Sequence, residues 1–299
     1  MTRKTANDFP PEVLKLFDNY VHGDISRRGF LSSAAKYAVL GLTAETLLEA
    51  LNPQFALAQQ IAPSDPRITA KYVEYESPEG NGTLRGYLVK PAKITTLLPT
   101  VLVIHENRGL NPHIEDITRR LALDNFIAFA PDGLASVGGY PGDEDKAREL
   151  FQKLDKTKLQ ADFIKAVAVL KKLPEGNSRV GAVGFCYGGG IVNFLATRLP
   201  DLAAAVPFYG SQPSTEDTAK IKAPLLIHYA GIDDRINAGW PAYESALKAA
   251  NINYEAFVYP GVQHGFNNDT TPRYDEAAAR LAWERTIKFF NTHLRVSLF

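Results

Sequence analysis

The run Val183-Gly184-Phe185-Cys186-Tyr187-Gly188-Gly189-Gly190 constrains this chain more than any other segment, and it holds the single cysteine among 299 residues. An apolar stretch ending at Phe185 enters a glycine-rich turn, followed by the apolar, helix-compatible segment Ile191–Leu199. Strand, sharp turn and helix in that order present one side chain at the apex, the layout of a nucleophile elbow. Glycines on both sides of Cys186 relieve crowding where the backbone bends steeply. The helix N-terminus that follows favours an anion and hence a thiolate. An isolated free cysteine is more often a buried core residue. The flanking glycines and the strand-to-helix context favour the nucleophile over that alternative.

From Ile61 onward the chain alternates strand-like and helix-like segments. Lys71–Ser77 and Leu84–Lys90 read as paired strands across the turn-forming Pro78-Glu79-Gly80-Asn81-Gly82. Short apolar runs follow at Thr100–Ile104, Phe126–Ala130, Val180–Phe185, Ala204–Phe208 and Pro224–Tyr229, with Glu255–Tyr259 completing the set. Such runs suit strands buried on both faces. Helices are expected near Ile114–Asp124, Asp143–Leu154, Lys158–Leu173, Ile191–Leu199, Trp240–Ala250 and Asp275–His293. This alternation predicts an α/β fold: a mostly parallel sheet of about eight strands with helices on both faces, in one domain over residues 59–299.

Residues 1–58 differ in kind. Ser26-Arg27-Arg28-Gly29-Phe30-Leu31 looks like a twin-arginine export signal, and Ala56-Leu57-Ala58 before Gln59 like a signal-peptidase site. Lys36, Glu45 and Glu49 interrupt the apolar stretch between them. Glu45 and Glu49 share one side, while Leu42, Leu47, Leu48 and Leu51 share much of the other, which suits an amphipathic helix retained on the folded enzyme. Two localisations follow as equal alternatives: periplasmic after export, or cytoplasmic with a helical extension kept. No stretch approaches the ~20 apolar residues of a membrane span.

The 33 basic and 33 acidic residues balance, leaving no net field for nucleic acid or an anionic membrane. One cysteine excludes an internal disulfide and a cysteine-based structural zinc site. The six histidines form no HExxH pattern. A metal enzyme is therefore not expected.

A nucleophilic thiol needs a base, and the base an orienting carboxylate. Gly231-Ile232-Asp233-Asp234-Arg235 follows one buried strand, and Gly261-Val262-Gln263-His264-Gly265-Phe266 follows the next. Asp233 or Asp234, with His264, thus falls at the carboxyl ends of strands, where sites of open α/β sheets form. Asp233 is preferred because it lies closer to its strand. His228, inside a strand, reads as structural; His22 and His293, near the chain ends, carry no pattern. His105 ends a strand before Glu106-Asn107-Arg108-Gly109, the loop where a second oxyanion N–H, from Asn107, should join that of Tyr187.

From about Tyr72 to Leu294 the chain resembles the dienelactone hydrolase family of α/β-hydrolases. The matching pieces are His105-Glu106-Asn107-Arg108-Gly109-Leu110-Asn111, Ala130-Pro131-Asp132-Gly133, Gly184-Phe185-Cys186-Tyr187-Gly188-Gly189, Gly231-Ile232-Asp233 and Tyr259 to Phe266. The resemblance implies a Cys186–His264–Asp233 triad, no cofactor, and hydrolysis of an enol-lactone or activated ester. It also implies that Glu106 meets the thiol at rest and keeps it largely neutral until substrate arrives.

Members acting on carboxylated lactones carry an arginine soon after the catalytic histidine and another after the Pro-Asp motif. Here Gly265 to Asp269 and Gly133 to Tyr140 hold none. Arg108, Arg235 and Tyr140 remain as candidate substrate contacts. The expected partner is a small ester or lactone, with a homodimer as an open assembly state. The alternatives are an esterase or thioesterase of larger acyl groups, and a non-catalytic binding or redox-sensing protein on the same fold.

Overall fold

In a computed structural model, residues 4–37 and 43–295 are described. Four helices come first: α1 (Pro11–His22), α2 (Arg27–Ala34), α3 (Ala44–Leu51) and the short α4 (Phe55–Ala58). The strands β1 (Ile68–Ser77), β2 (Gly82–Pro91) and β3 (Leu98–Ile104) lead to α5 (Pro112–Leu123) and β4 (Ile127–Pro131). Then come α6 (Glu144–Gln152), α7 (Lys156–Leu170), β5 (Gly176–Phe185), α8 (Tyr187–Arg198), β6 (Ala204–Phe208) and α9 (Thr215–Thr218). The chain closes with β7 (Leu225–Ile232), α10 (Asp234–Asn237), α11 (Trp240–Ala249), β8 (Tyr254–Gln263) and α12 (Glu276–Leu294).

All eight strands form one sheet in the order β1-β2-β4-β3-β5-β6-β7-β8. β1, β2 and β4 pair antiparallel; every other pairing is parallel. Every residue of β3, β4 and β6 is buried, as continuous apolar runs demand when helices cover both faces. Residues of α7, α8 and α11 pack one face, around Phe163, Val192 and Leu247. Those of α5 and α12 pack the other, around Ile117 and Phe290.

The N-terminal segment has its own small core. Val13, Phe17, Tyr20, Phe30, Leu47, Leu48 and Leu51 bury together, while Glu45 and Glu49 face outward. Leu42, counted in the apolar stripe of that helix, lies outside the described residues. Within the twin-arginine motif, Ser26 caps α2 by accepting from Gly29 N at 3.1 Å, and Phe30 is fully buried. Arg27 pairs with Asp145 of α6 at 2.7 Å. The Arg148 guanidinium sits 3.9 Å from the Tyr20 ring and donates to Tyr20 O, and Tyr20 Oη bonds Asp145. The C-terminal end of α1 is thereby pinned over α6, beside the carboxyl ends of the strands. None of the described helices is long and apolar enough to cross a membrane.

Candidate active site

Cys186 occupies the turn between β5 and α8 with φ 55° and ψ −113°, a conformation that side-chain-bearing residues rarely adopt. Its N–H donates to Phe208 O at 3.1 Å, tying the apex to the next strand. The expected glycine-rich turn is shorter than the sequence suggests, because α8 starts at Tyr187 and takes Gly188 to Gly190 into its first turn. Close packing explains this. A Cβ on Gly188 would stand 2.2 Å from Ile104 O, and one on Gly184 2.2 Å from Gly188 O, so helix and strands touch backbone to backbone. Gly188→Ala is expected to cost about 1–3 kcal/mol by overpacking, and to lower the thermal midpoint by several degrees in calorimetry.

β7 ends at Ile232 and β8 at Gln263, so Asp233 and His264 are the residues that leave those strands. Both side chains are buried. Asp233 Oδ2 lies 2.6 Å from His264 Nδ1, and its Oδ1 caps α10 by accepting from Ile236 N at 3.3 Å. The carboxylate is therefore fixed from two sides and orients the imidazole, leaving Nε2 for the sulfur. Asp234, the competing acid, is exposed on the first turn of α10.

A second imidazole reaches the same sulfur. His22, the last residue of α1, places Nε2 3.3 Å from Cys186 Sγ. Its Nδ1 lies 2.8 Å from Asp18 O and 3.4 Å from Asp18 Oδ1. The His22 and His264 rings meet edge to face, 4.8 Å between centroids. The sequence reading missed it; the one signal available was the four-residue spacing of Asp18 and His22, a helical turn that puts both on one face. One donor atom from each of His22, Cys186 and His264 lies within 4.8 Å of the others, so both imidazoles crowd the sulfur.

These charges set the state of the thiol. Burial opposes its ionisation, but the charges of His264 and His22, and their hydrogen bonds, outweigh it and hold Cys186 at about 5, below its usual 9.0. Burial likewise opposes the charged form of His22, yet the Cys186 charge and the Asp18 contacts raise it from 6.5 to about 10. His264 is raised by the same thiolate and by Asp233, against its burial.

The expectation for Glu106 meets a different arrangement. Glu106 is buried, and its Oε2 accepts from Asn268 Nδ2 at 3.0 Å, while the sulfur is bonded by His22. The imidazoles of His264 and His22, and not the Glu106 carboxylate, are the groups that lower the thiol. Asn107 donates through Nδ2 to Val21 O at 2.6 Å and so holds the end of α1. Arg108 pairs with Glu144 at 2.8 Å and also donates to Asn107, and Tyr140 donates to Glu144 at 2.8 Å. That trio braces the loop after β3. Arg235 differs: it is exposed, and its Nη2 lies 2.9 Å from His22 Nε2. His105 is fully buried and accepts from Gly133 N at 3.0 Å, and His228 bonds Thr286 and Tyr259, so both act within the core.

A cavity of about 300 Å³ opens onto the sulfur, lined by His22, Asn107, Cys186, Tyr187, Tyr209 and Arg235 among others. Its size suits a small ligand.

A mostly parallel eight-stranded sheet with an elbow after its fifth strand is an α/β-hydrolase fold. A model of the dienelactone hydrolase family matches residues 84–294, and one described as YqhI-like matches residues 1–36. A "putative carboxymethylenebutenolidase" from Synechocystis sp. is 32% identical over 236 residues, spanning 73% of this chain and 95% of its own. A "putative hydrolase fragment YghX" from Escherichia coli K12 is 58% identical over 116 residues, 39% of this chain and 99% of that one. The crystal structure of a "putative dienelactone hydrolase" from Klebsiella pneumoniae superposes with a TM-score of 0.66 at 28% identity, covering 75% of this chain and 99% of that one. The chain belongs to the dienelactone hydrolase family. It is an enzyme of the carboxylic-ester and lactone hydrolase class.

Proposed function

We infer that this enzyme cleaves a small ester or lactone by acyl transfer through Cys186. The thiolate attacks the carbonyl carbon, and backbone N–H groups of Tyr187 and Asn107 receive the oxyanion; one such donor is commonly worth about 3 kcal/mol in the barrier. As the C–O bond breaks, an imidazolium protonates the leaving oxygen. His264, oriented by Asp233, then takes a proton from water, and hydroxide attacks the thioester and releases the thiolate. The observation that carries this reading is the strained apex of Cys186, with the buried His264–Asp233 pair at 2.6 Å behind it and a small cavity in front.

Arg235 and Lys156 line that cavity as exposed cations, which favours a substrate bearing a carboxylate. This restores, from other positions, the charge missing after Pro131-Asp132 and after His264. A matched panel of small lactones and aryl esters with and without a free carboxylate tests the reading. The acids should be preferred by roughly tenfold in kcat/KM, and Arg235→Gln should remove the preference. Equal turnover of both sets would exclude a carboxylate-bearing substrate, and absence of turnover on all of them would count against hydrolysis at this site.

A further inference from the structure

We propose that the N-terminal helix α1 belongs to the catalytic machinery: His22, backed by Asp18, is a second base on the nucleophile, holding the Cys186 proton at rest and delivering it to the leaving group. The inference rests on Cys186 being the nucleophile. It adds a group from outside the matched family region, since His22 precedes residue 84 and lies in the separately matched segment 1–36.

Hydrogen-bond logic fixes the tautomer. Both groups near Nδ1, the Asp18 carbonyl at 2.8 Å and the Asp18 carboxylate at 3.4 Å, are acceptors, so Nδ1 carries hydrogen. Nε2 is then free to accept, and Cys186 Sγ lies 3.3 Å from it. Transfer of the thiol proton breaks S–H, forms Nε2–H and leaves a thiolate beside an imidazolium, with no change in net charge. In acylation the proton passes to the departing oxygen; in deacylation water supplies its replacement through His264. The ion pair is thus restored each cycle.

Position supports a built role. Arg148 grips Tyr20 O, Asn107 grips Val21 O, and Arg273 bonds Asp18 at 3.2 Å, so three side chains of the hydrolase domain lock the turn that aims His22. The charged or titratable groups facing the imidazole are Cys186, His264, Arg235 and Asp18, with Arg273 behind Asp18 and Arg148 and Lys156 elsewhere on the cavity wall. Arg235 can donate to Nε2 only while His22 is neutral. It therefore competes with the thiol proton for that nitrogen. One consequence touches the twin-arginine motif: losing residues 1–58 would remove a group that touches the nucleophile.

The test uses the full-length chain carrying His22→Ala or His22→Gln, with thermal melts to verify folding. Iodoacetamide alkylation of Cys186 is timed across pH 5–9 alongside kcat/KM for p-nitrophenyl acetate. The alkylation midpoint and the acid limb of kcat/KM should both move up by about one pH unit or more, slowing labelling at pH 6 about tenfold. Glutamine keeps a hydrogen-bonding side chain but holds no proton, so its curve should follow that of alanine. Asp18→Asn should move the midpoint in the same direction by less. Unchanged midpoints with kcat/KM within twofold of wild type in the two His22 variants would overturn the proposal. A Cys186→Ala enzyme that still turns over would instead overturn the nucleophile on which it rests.

Discussion

Cys186→Ala is expected to reduce kcat for p-nitrophenyl acetate by about 10³-fold or more, because loss of a triad nucleophile removes the covalent route altogether. Iodoacetamide should abolish wild-type activity in step with labelling of this one thiol, the only cysteine of the chain. The pH dependence follows from the charges around it. With the thiol held at about 5, the nucleophile is ionised above that pH, and activity should fall as pH drops through it. A serine in its place would lack this advantage, since the alcohol stays protonated and depends wholly on base assistance. Cys186→Ser should therefore recover little of the activity. Full turnover by the alanine enzyme, or activity that survives stoichiometric labelling, would refute the acyl-enzyme route.

The second large effect concerns the base and its acid. His264→Ala and Asp233→Asn are each expected to lower kcat by roughly a hundredfold or more, since such residues act as a unit. Asp234→Asn should stay within a few-fold of wild type, because that side chain is exposed while Asp233 carries the 2.6 Å bond to His264. The pairing is informative about position alone: two adjacent aspartates receive the same substitution, and only one touches the imidazole. Steady-state kinetics on the three variants decides it. A larger loss at Asp234 than at Asp233 would move the acid by one residue.

How much of this was legible depends on the range of the forces involved. The inner strands β3, β4 and β6 stand where apolar runs of the right length occur, because a strand buried on both faces must be apolar throughout. The apex at Cys186 is legible for a local reason as well: glycine is needed wherever backbone meets backbone, as Gly188 meets Ile104 O. Asp233 and His264 are legible because strand ends in such a sheet converge on one edge. Their distance from Cys186 in sequence does not matter, since the alternation itself brings them together.

Other features had no local trace strong enough to read. Glu106 stands in a recognisable loop, but its partner, Asn268, is 162 residues away, and that bond leaves the sulfur to another group. Arg108 and Tyr140 looked suited to binding substrate, yet both converge on Glu144. Two of the three candidate substrate contacts thus turned on which neighbour a flexible polar side chain found first.

From sequence alone came the sheet, the elbow and the strand-end residues, since backbone periodicity and steric need for glycine operate within a few residues. Tertiary structure alone decided the electrostatic state of the thiol. Beside His264, that state depends on His22, 164 residues from Cys186 in the chain and carried on a helix whose own apolar face gave no hint of its docking site. Coulomb interaction depends on distance in space, and no spacing along the chain encodes a 3.3 Å approach between a helix end and a strand apex.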